Sequence, residues 1–260
     1  IHVKMTASRQ LIAKTVDPNI EILFVRPIDI PEYVAKGVAD IGITGLDMIA
    51  ERRADVEPIL DLKFGGARLV LAVPEASAVR EVADMKGMRI ATEFPNICED
   101  FFKAAGVDVS IVEVAGACEA APQLGVADAI ADLTSSGTTL EINKLRIVSE
   151  VLASTTHVIA NRTSLVEKRE KIDEILLAFE SVMAAAGMCY LMLNVEREKL
   201  DDIKQLIPGL GGPTVMDIAG STSVSLHAVV SSDRVYQLIN QLKNAGARDI
   251  LVLDITRMVR

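Results

Sequence analysis

Five hydroxyl side chains surround one glycine near the middle of this chain, and together they could hold a phosphate group. The residues around Gly137 are Thr134, Ser135, Ser136, Thr138 and Thr139. They follow a short apolar run and precede a helix-like stretch, which predicts a loop at the carboxyl end of a strand. Glycine tolerates a positive φ, and successive backbone N–H groups with nearby hydroxyls bind anions. An ordinary strand–turn junction with capping hydroxyls is the alternative.

Asp132 lies at the end of the same apolar run, next to the hydroxyl-rich loop. A carboxylate in this position can accept hydrogen bonds from ribose hydroxyls or face a Mg²⁺ ion that a phosphorylated substrate carries. The alternative role for Asp132 is that of a turn cap. No lysine follows Gly137, so the segment is not a Walker A loop.

The composition excludes several classes of partner. The net charge is −9 and no dense run of Lys or Arg is present, which argues against nucleic acid as a bulk partner. No apolar run approaches the length of a membrane span, and the N-terminus lacks a signal-peptide pattern, so we expect no membrane association. The three cysteines show no CxxC pairing, which predicts reduced, buried thiols and a cytoplasmic location.

Strand-like and helix-like runs alternate through the first 155 residues, which predicts an α/β fold with largely parallel sheets. Half of the residues are hydrophobic and only 3% are aromatic, so the core is expected to be aliphatic. The predicted strands are Glu21–Val25, Asp40–Thr44, Arg68–Val73, Arg89–Thr92, Val109–Val114, Ala127–Leu133 and Arg146–Leu152. The predicted helices are Pro31–Gly37, Ala78–Met85, Ile97–Ala105 and Ser136–Lys144.

Two segments of the chain resemble each other. The sequence GVAD occurs at 37–40 and again at 125–128, and each copy leads into a short strand that ends in a polar loop. Chance is the alternative in a chain rich in Ala and Val. A real repeat would give two lobes whose strand ends open on one cleft, where open α/β sheets bind ligands.

The last third of the chain has a different pattern. A helical stretch over 164–186 is followed by strand, helix, strand, strand, helix and strand between Met188 and Ile255. This βαββαβ order is the ferredoxin-like arrangement. A separate domain of about 70 residues is therefore expected here.

Several segments carry a resemblance to a known family. They are VADIGITGLD (38–47), RIATEFP (89–95), GVADAIADLTSSGTTL (125–140), ANR (160–162), PGLGGPT (208–214) and GARDIL (246–251). Together they resemble ATP phosphoribosyltransferase, in its long form with a C-terminal regulatory domain. The resemblance implies a two-lobed, periplasmic-binding-protein-like catalytic core and an ACT-like, ferredoxin-like regulatory domain. The implied divisions are 1–68 plus 156–186, 69–155, and 187–260.

The resemblance also implies an activity. Enzymes of this family condense ATP, through N1 of adenine, with 5-phosphoribosyl 1-diphosphate in the first step of histidine biosynthesis, and histidine inhibits them. Mg²⁺ is expected to arrive with the substrate rather than in a protein metal site. A homo-oligomer, a dimer or a hexamer, is implied as well. The family usually begins with a strand and a Lys-Gly-Arg loop upstream of the position that Ile1 matches, so we expect either that the sequence is truncated or that the loop is absent.

Site residues follow from the matching motifs. Asp132 is expected to hold the ribose hydroxyls and residues 134–139 the 5-phosphate. The nucleotide side is expected to be lined by Gly45, Asp47, Arg52, Thr92, Glu93 and Glu119. For Arg52 the alternative is a solvated surface side chain. For Glu119 the alternative is an acid in the first turn of a helix, where its charge interacts favourably with the helix dipole.

The implied histidine site lies in the C-terminal domain, at Glu196, Leu210, Thr214, Val229 and Asp249. An inert dimerisation module is the alternative for that domain. For the whole chain, a two-lobed solute-binding or ligand-sensing protein is the alternative function, since such proteins share the expected core. The absence of a signal-peptide pattern and the added βαββαβ domain favour the enzyme.

Overall fold

A computed structural model describes residues 3–4, 11–207 and 211–260 of the chain. They form two compact units, Ile1–Ile172 and Asp173–Arg260. The strands are β1 (Val3–Lys4), β2 (Ile12–Thr15), β3 (Glu21–Leu23), β4 (Ile41–Gly45), β5 (Glu57–Asp61), β6 (Ala67–Pro74), β7 (Arg89–Thr92), β8 (Ser110–Glu113), β9 (Ala129–Thr134), β10 (Leu145–Ser154), β11 (Thr156–Ala160), β12 (Met188–Glu196), β13 (Thr214–Asp217), β14 (Ser223–Ser231) and β15 (Arg248–Asp254). The helices are α1 (Ile30–Ala35), α2 (Leu46–Arg52), α3 (Pro95–Ala105), α4 (Thr138–Ile142), α5 (Arg162–Glu167), α6 (Arg169–Ala185), α7 (Leu200–Leu206) and α8 (Val235–Asn244).

The first unit contains two larger sheets, which define two lobes. Lobe I is built on a three-stranded antiparallel sheet of order β4-β11-β5. Its core includes Val34, Val56 and Ile159, all buried. Lobe II is built on a five-stranded sheet of order β10-β6-β9-β7-β8. A small antiparallel sheet, β1-β2-β3, precedes both.

The sheet of lobe II is mixed, and the expectation of largely parallel sheets is wrong. β7 runs parallel to β8 and β9, whereas β6 runs antiparallel to β9 and β10. The connectivity explains this arrangement. β6 enters lobe II directly from β5 of lobe I, and β10 returns directly to β11 of lobe I, so neighbouring strands that enter and leave by the same side must run in opposite directions.

Strand β6 is buried on both faces, which explains its continuous apolar sequence. Residues 69–73 have no exposed surface. Leu69 and Leu71 pack with Phe102 of α3 on one face, and Val70 and Ala72 pack with Leu140 of α4 on the other. The helices on the two faces thereby fix the sheet whose strand ends carry the hydroxyl-rich loop.

Two chain segments connect the lobes, and they lie side by side. One is 62–66, between β5 and β6, and the other is Thr155, between β10 and β11. Leu62 N donates to Thr156 O at 2.9 Å, and Thr156 N donates to Phe64 O at 3.1 Å. The paired segments form the junction about which the two lobes meet.

The second unit has the ferredoxin-like order, as the sequence predicted. Its antiparallel sheet has the order β13-β14-β12-β15. Alternate residues of β14, such as Leu226, pack with Ile203 of α7 and Leu242 of α8, and all three side chains are fully buried. The α/β class and the βαββαβ domain are therefore confirmed. Among the described residues, no helix is long and apolar enough to cross a bilayer.

Candidate active site

Three neighbouring strands of lobe II end at one edge of its sheet, and the candidate site lies there. β7, β8 and β9 are parallel, so the loops after Thr92, Glu113 and Thr134 leave the same edge. The first two loops are in contact, because Val114 N donates to Thr92 O at 3.1 Å. A Cβ atom built on Gly116 would lie 3.6 Å from Glu93 Oε1.

A buried threonine, Thr134, holds the hydroxyl-rich loop in its conformation. Thr134 Oγ1 accepts a hydrogen bond from Gly137 N at 2.9 Å, and the Thr134 side chain is buried. Ser136 Oγ and Thr138 Oγ1 lie 3.0 Å apart. Ser135, Ser136, Thr138 and Thr139 are exposed, so their hydroxyls are open to a ligand.

Gly137 is required for its conformation rather than for space. Its φ is +83°, a value that side-chain-bearing residues rarely adopt. A Cβ atom at this position would meet no atom within 4 Å. The positive φ turns the chain from β9 into α4, which is only five residues long. The loop itself, more than the field of this short helix, therefore supplies the donors for an anion.

Asp132 is half-buried in a negatively charged environment. Burial raises the pKa of its carboxyl group, and the charges of Glu119 and Glu93 raise it further, against a hydrogen bond from Leu133 N. That bond joins Leu133 N to Asp132 Oδ1 at 2.8 Å. Three loops thus bring three carboxylates close enough to interact electrostatically.

Cys118 lies beside these carboxylates. Burial raises the pKa of its thiol to about 12, and Asp132 and Glu93 contribute to the increase. All three cysteines are free and buried. The prediction of reduced, buried thiols agrees with this arrangement, and a thiol with so high a pKa is a poor nucleophile at neutral pH.

Thr92 shapes the loop that carries Glu93. Its side chain is fully buried, and its Oγ1 accepts a hydrogen bond from Phe94 N at 2.9 Å. Glu93 is exposed. Two of the six residues predicted for the nucleotide side thus lie here: Glu93 is accessible to a ligand, and Thr92 supports the loop from a buried position.

Asp47 of lobe I is also buried, with 7% exposure. Ser154 Oγ donates to Asp47 Oδ1 at 2.6 Å and accepts from Asp47 N at 3.1 Å. A Cβ atom on Gly45 would lie 2.0 Å from Asp47 Oδ1, so only glycine fits there. Gly45 and Asp47 therefore form a close-packed junction between β4, α2 and the end of β10.

Arg52 lies at the end of α2 and is half-exposed. Its Nε donates to Ile28 O at 3.1 Å, and its guanidinium lies 3.6 Å from Asp29. These contacts occupy part of the guanidinium. The assignment of the nucleotide side to Gly45, Asp47 and Arg52 stays a prediction.

Sequence analysis missed Glu51, which is 6% exposed. Its carboxylate accepts hydrogen bonds from backbone N–H groups at the start of α3, on the other lobe. An acid near the end of a short helix is typical of a solvated surface, so the sequence carries no signal for this contact.

The two GVAD segments have matching structures. Gly37 and Gly125 both have φ of +70°, and each segment leads into a strand, β4 or β9. The aspartate of each copy forms an ion pair: Asp40 with Lys168 at 2.9 Å, and Asp128 with Arg89 at 2.8 Å. Asp128 therefore begins its strand as a structural residue, while Asp132 near the other end of β9 lies at the site.

The four predicted histidine-site residues that the structure describes, Glu196, Thr214, Val229 and Asp249, do not form one cluster within the second unit. Glu196 pairs with Arg248 and accepts from Thr222 Oγ1 at 3.2 Å, and the neighbouring Asp249 accepts from Asn194 Nδ2 at 3.0 Å. Arg248 therefore links the two acids, because it pairs with Glu196 and is adjacent to Asp249 in sequence.

Val229 lies elsewhere on the same sheet. It is six residues along β14 from Ser223, the residue that pairs with Glu196, which corresponds to about 20 Å. Thr214 pairs with His227, nearer to Val229. Leu210 lies outside the described residues. The two groups are therefore too far apart within one copy of the chain for a ligand the size of an amino acid to contact both.

Comparisons with known proteins give the family. The profile of ATP phosphoribosyltransferase matches residues 26–181, and that of the HisG C-terminal domain matches residues 185–257. An ATP phosphoribosyltransferase of Methanosarcina acetivorans is 51% identical over 257 residues, which are 97% of this chain and 89% of the relative. One of Methanocella arvoryzae is 51% identical over 261 residues, covering 100% of this chain and 92% of the relative.

A solved structure agrees with these matches. The ATP phosphoribosyl transferase (HisG:HisZ) complex from Thermotoga maritima contains a chain that is 32% identical, with a TM-score of 0.62. The match covers 69% of this chain and 86% of that one. The chain therefore belongs to the ATP phosphoribosyltransferase family, pentosyltransferases of the first step of histidine biosynthesis. This membership decides between the two functions that the sequence allowed, in favour of the transferase.

Proposed function

We propose that this member of the ATP phosphoribosyltransferase family binds 5-phosphoribosyl 1-diphosphate on lobe II and ATP towards lobe I. The observation that carries the proposal is the exposed hydroxyl loop, residues 134–139, next to the half-buried carboxylate of Asp132. Both lie at the carboxyl edge of parallel strands, where α/β sheets bind ligands. The family motif and this geometry both support the proposal.

In this proposal the loop and Asp132 hold different parts of the donor. The 5-phosphate accepts hydrogen bonds from the loop's backbone N–H groups and from the hydroxyls of Ser135, Ser136, Thr138 and Thr139. The Asp132 carboxylate accepts hydrogen bonds from the ribose hydroxyls. Its ionised form is the one that accepts two such bonds, so binding of the ribose favours ionisation against the effect of burial.

The reaction is a displacement at the anomeric carbon of the ribose. N1 of adenine forms a bond to that carbon as the carbon–oxygen bond to the diphosphate breaks. N1 is a weak nucleophile, so placing it in line with the leaving group accounts for most of the expected rate enhancement. Positive charge develops on the ribose in the transition state, and the carboxylates around Asp132 stabilise it electrostatically.

Magnesium belongs to the substrate in this proposal. Among the described residues, no group of three His, Cys, Asp or Glu side chains is arranged to hold a metal ion. The carboxylates of Glu93, Glu119 and Asp132 would repel a free diphosphate. A donor whose diphosphate is neutralised by Mg²⁺ fits this edge, because the cation interacts favourably with the same carboxylates.

The nucleotide side is assigned to residues of two kinds. Glu93, Glu119 and Arg52 retain accessible surface for contacts with ATP. Gly45, Asp47 and Thr92 act by positioning the backbone, because their side chains are absent or buried. These assignments rest on the family motifs together with the burial of each residue.

The second unit is assigned a regulatory role. We infer that histidine binds between copies of this unit, at Glu196 and Asp249 of one copy and near Thr214, Leu210 and Val229 of another. The sheet face away from α7 and α8 supports association, since Met216, Leu251 and Leu253 on it are 52%, 55% and 49% exposed. A dimer or a hexamer of chains in the cytoplasm is the proposed working form.

Replacement of Asp132 by Asn tests the assignment of the site. The amide keeps the shape of the side chain but loses the charge, so turnover should fall by about 100-fold or more, while thermal stability changes little. The assay is Mg²⁺-dependent release of diphosphate from ATP and the donor. Asp128→Asn, one residue before the start of the same strand, is the matched control. It removes the ion pair with Arg89 and should leave turnover within about twofold, since exposed pairs contribute little. Near-normal turnover in Asp132→Asn would contradict the substrate-binding assignment and leave Asp132 with the alternative role of a turn cap.

A further inference from the structure

Helix α2 of lobe I is hydrogen-bonded at both of its ends to lobe II. At its start, the buried Asp47–Ser154 pair joins it to the last residue of β10. Leu46 N also donates to Thr155 O at 3.2 Å, in one of the two segments that connect the lobes. Between the ends, Met48 and Ala50 pack against the hydrophobic core of lobe II. Ile49 of the same helix packs against the core of lobe I, so α2 lies between the cores of the two lobes and contacts both.

The other end of α2 contacts the start of α3 through Glu51. Glu51 Oε1 accepts from Asn96 N at 3.2 Å and from Asn96 Nδ2 at 3.1 Å, and Oε2 accepts from Ile97 N at 3.1 Å. The backbone O of Glu51 also accepts from Asn96 Nδ2 at 2.9 Å. Four hydrogen bonds thus join one residue of lobe I to the first turn of a helix in lobe II.

Within the described part of the chain, helix α3 has no other side-chain cap. Its N-cap residue, Phe94, provides no capping hydrogen bond, and Pro95 has no N–H to donate. Glu51 satisfies the next two N–H groups of the first turn from another lobe, and its negative charge is favourable at a helix N-terminus. The first turn of α3 is thereby held by lobe I.

That turn is directly continuous with the candidate site. Thr92 ends β7, Glu93 follows it at the site edge, and Thr92 Oγ1 fixes Phe94 N at 2.9 Å. A displacement of the first turn of α3 would therefore move Glu93. The contact made by Glu51 sets the spacing between lobe I and the loop that carries Glu93.

We propose that Glu51 is a positioning residue for phosphoribosyl transfer: it holds the two lobes at the spacing at which the two bound substrates meet. This inference rests on the proposed assignment of the donor to residues 134–139 of lobe II. Glu51 lies away from that loop in the fold, on a different helix and lobe. Loss of its charge should therefore reduce the chemical step without reducing the affinity of lobe II for the donor.

The test is the isosteric variant Glu51→Gln in the full-length chain. The amide presents an NH₂ group to one of the two backbone donors, so hydrogen exchange in segment 94–103 should become faster. We expect kcat to fall about tenfold or more, since losing hydrogen bonds to a charged acceptor shifts an equilibrium by about that factor. The Kd of the donor, measured by calorimetry with Mg²⁺ and without ATP, should change less than about twofold.

Arg53→Asn is the matched control. Arg53 also joins α2 to α3, through Asp100 at 2.8 Å, but its side chain is 48% exposed. Its φ is +46°, which Asn accepts readily, so the end of α2 is kept. Since exposed ion pairs contribute little, kcat should remain within about twofold of the wild-type value. Asn96→Ala removes only the contacts of the side-chain amide, so its kcat should lie between those of Glu51→Gln and Arg53→Asn.

The outcomes separate this inference from the proposed function. Unchanged kcat in Glu51→Gln with faster exchange in segment 94–103 would overturn it, because the contact would then serve only as a helix cap. A parallel loss of donor affinity would also overturn it, because Glu51 would then act on the donor site itself. A wild-type chain that binds no donor or releases no diphosphate would contradict the proposed function, whatever the exchange data show.

Discussion

Replacement of Gly137 by Val tests the phosphate loop by its backbone conformation. At φ of +83° a β-branched residue is strained, although a Cβ atom would meet no neighbour within 4 Å. Holding a non-glycine residue there costs roughly 1–3 kcal/mol. The variant can avoid this cost by turning the loop to a negative φ, since the space around it is open.

Of these two responses, turning the loop weakens binding of the donor. Turning the loop breaks the hydrogen bond from Gly137 N to Thr134 Oγ1 and redirects the N–H groups that face the phosphate. Retaining the loop costs stability but keeps the donors in place. Because turning the loop relieves the strain, we expect this response to dominate. The contacts to the 5-phosphate should then be lost. Each 1.4 kcal/mol lost corresponds to a tenfold weaker Kd, so a loss of about 3 kcal/mol weakens donor binding by about 100-fold, as calorimetry can measure.

Gly125→Val, in the turn that precedes β9, is the matched control. Gly125 has φ of +70° and a Cβ atom there would also meet nothing within 4 Å. The two variants should therefore lose similar free energy of unfolding, measured by denaturant titration, while only Gly137→Val loses donor affinity. A folded Gly137→Val that binds the donor with wild-type Kd would refute the loop assignment. Equal losses of affinity in both variants would refute it as well, because a general effect on lobe II would then explain the result.

Three further predictions concern charge, regulation and the thiols. The pKa of Asp132 is raised above its ordinary value of 3.8, so the folded protein binds the carboxyl proton more tightly than the unfolded chain does. The contribution of Asp132 to stability therefore falls as pH rises through the folded-state pKa. Glu119→Gln removes one of the charges that raise the pKa of Asp132, so the acidic limb of the pH profile of kcat/KM should shift to lower pH. An unmoved limb would show that it reports the ionisation of another group. Histidine should inhibit the full-length chain but not one that ends at Ala186, and equal inhibition of both would place histidine in the catalytic cleft. Burial raises the pKa of Cys98 and of Cys118 to about 12, so both thiols should resist iodoacetamide at pH 8 in the folded protein and react after unfolding, as mass spectrometry of the digest can establish.

Local sequence signals were sufficient for the strands of the site edge. The predicted strand Arg89–Thr92 has the bounds of β7, and the strand predicted at Ala127–Leu133 differs from β9 by two residues at its start and one at its end. Short apolar runs bounded by glycine and hydroxyl residues are local patterns, so no knowledge of the remaining chain is needed to find them.

Elements that depend on distant contacts were missed or misplaced. β5 (Glu57–Asp61) was not predicted, because Pro58 disfavours a strand; it is tolerated at the edge of the lobe I sheet, next to a register shift. α2 was not predicted because seven residues with two acids carry no clear apolar stripe. A helix was predicted over Ala78–Met85, but only Val82–Met85 is helical, as a 3₁₀ turn. The carboxylate of Asp84 accepts from Arg80 N and Glu81 N, which fixes an extended approach to that turn.

The carboxylates of the first unit show why function had to be argued from the fold. Asp47 and Glu51 are buried, and donors from lobe II satisfy both of them, so they connect the lobes. Asp132 is instead surrounded by other carboxylates, which raise its pKa together with burial. In the sequence all are acids one to four residues beyond a small apolar run, and nothing local distinguishes them. Only the pairing of strands brings Glu93 and Glu119 to Asp132. The resulting excess of negative charge favours a substrate that carries its own cation, and this requirement connects the fold of lobe II to the chemistry of the family.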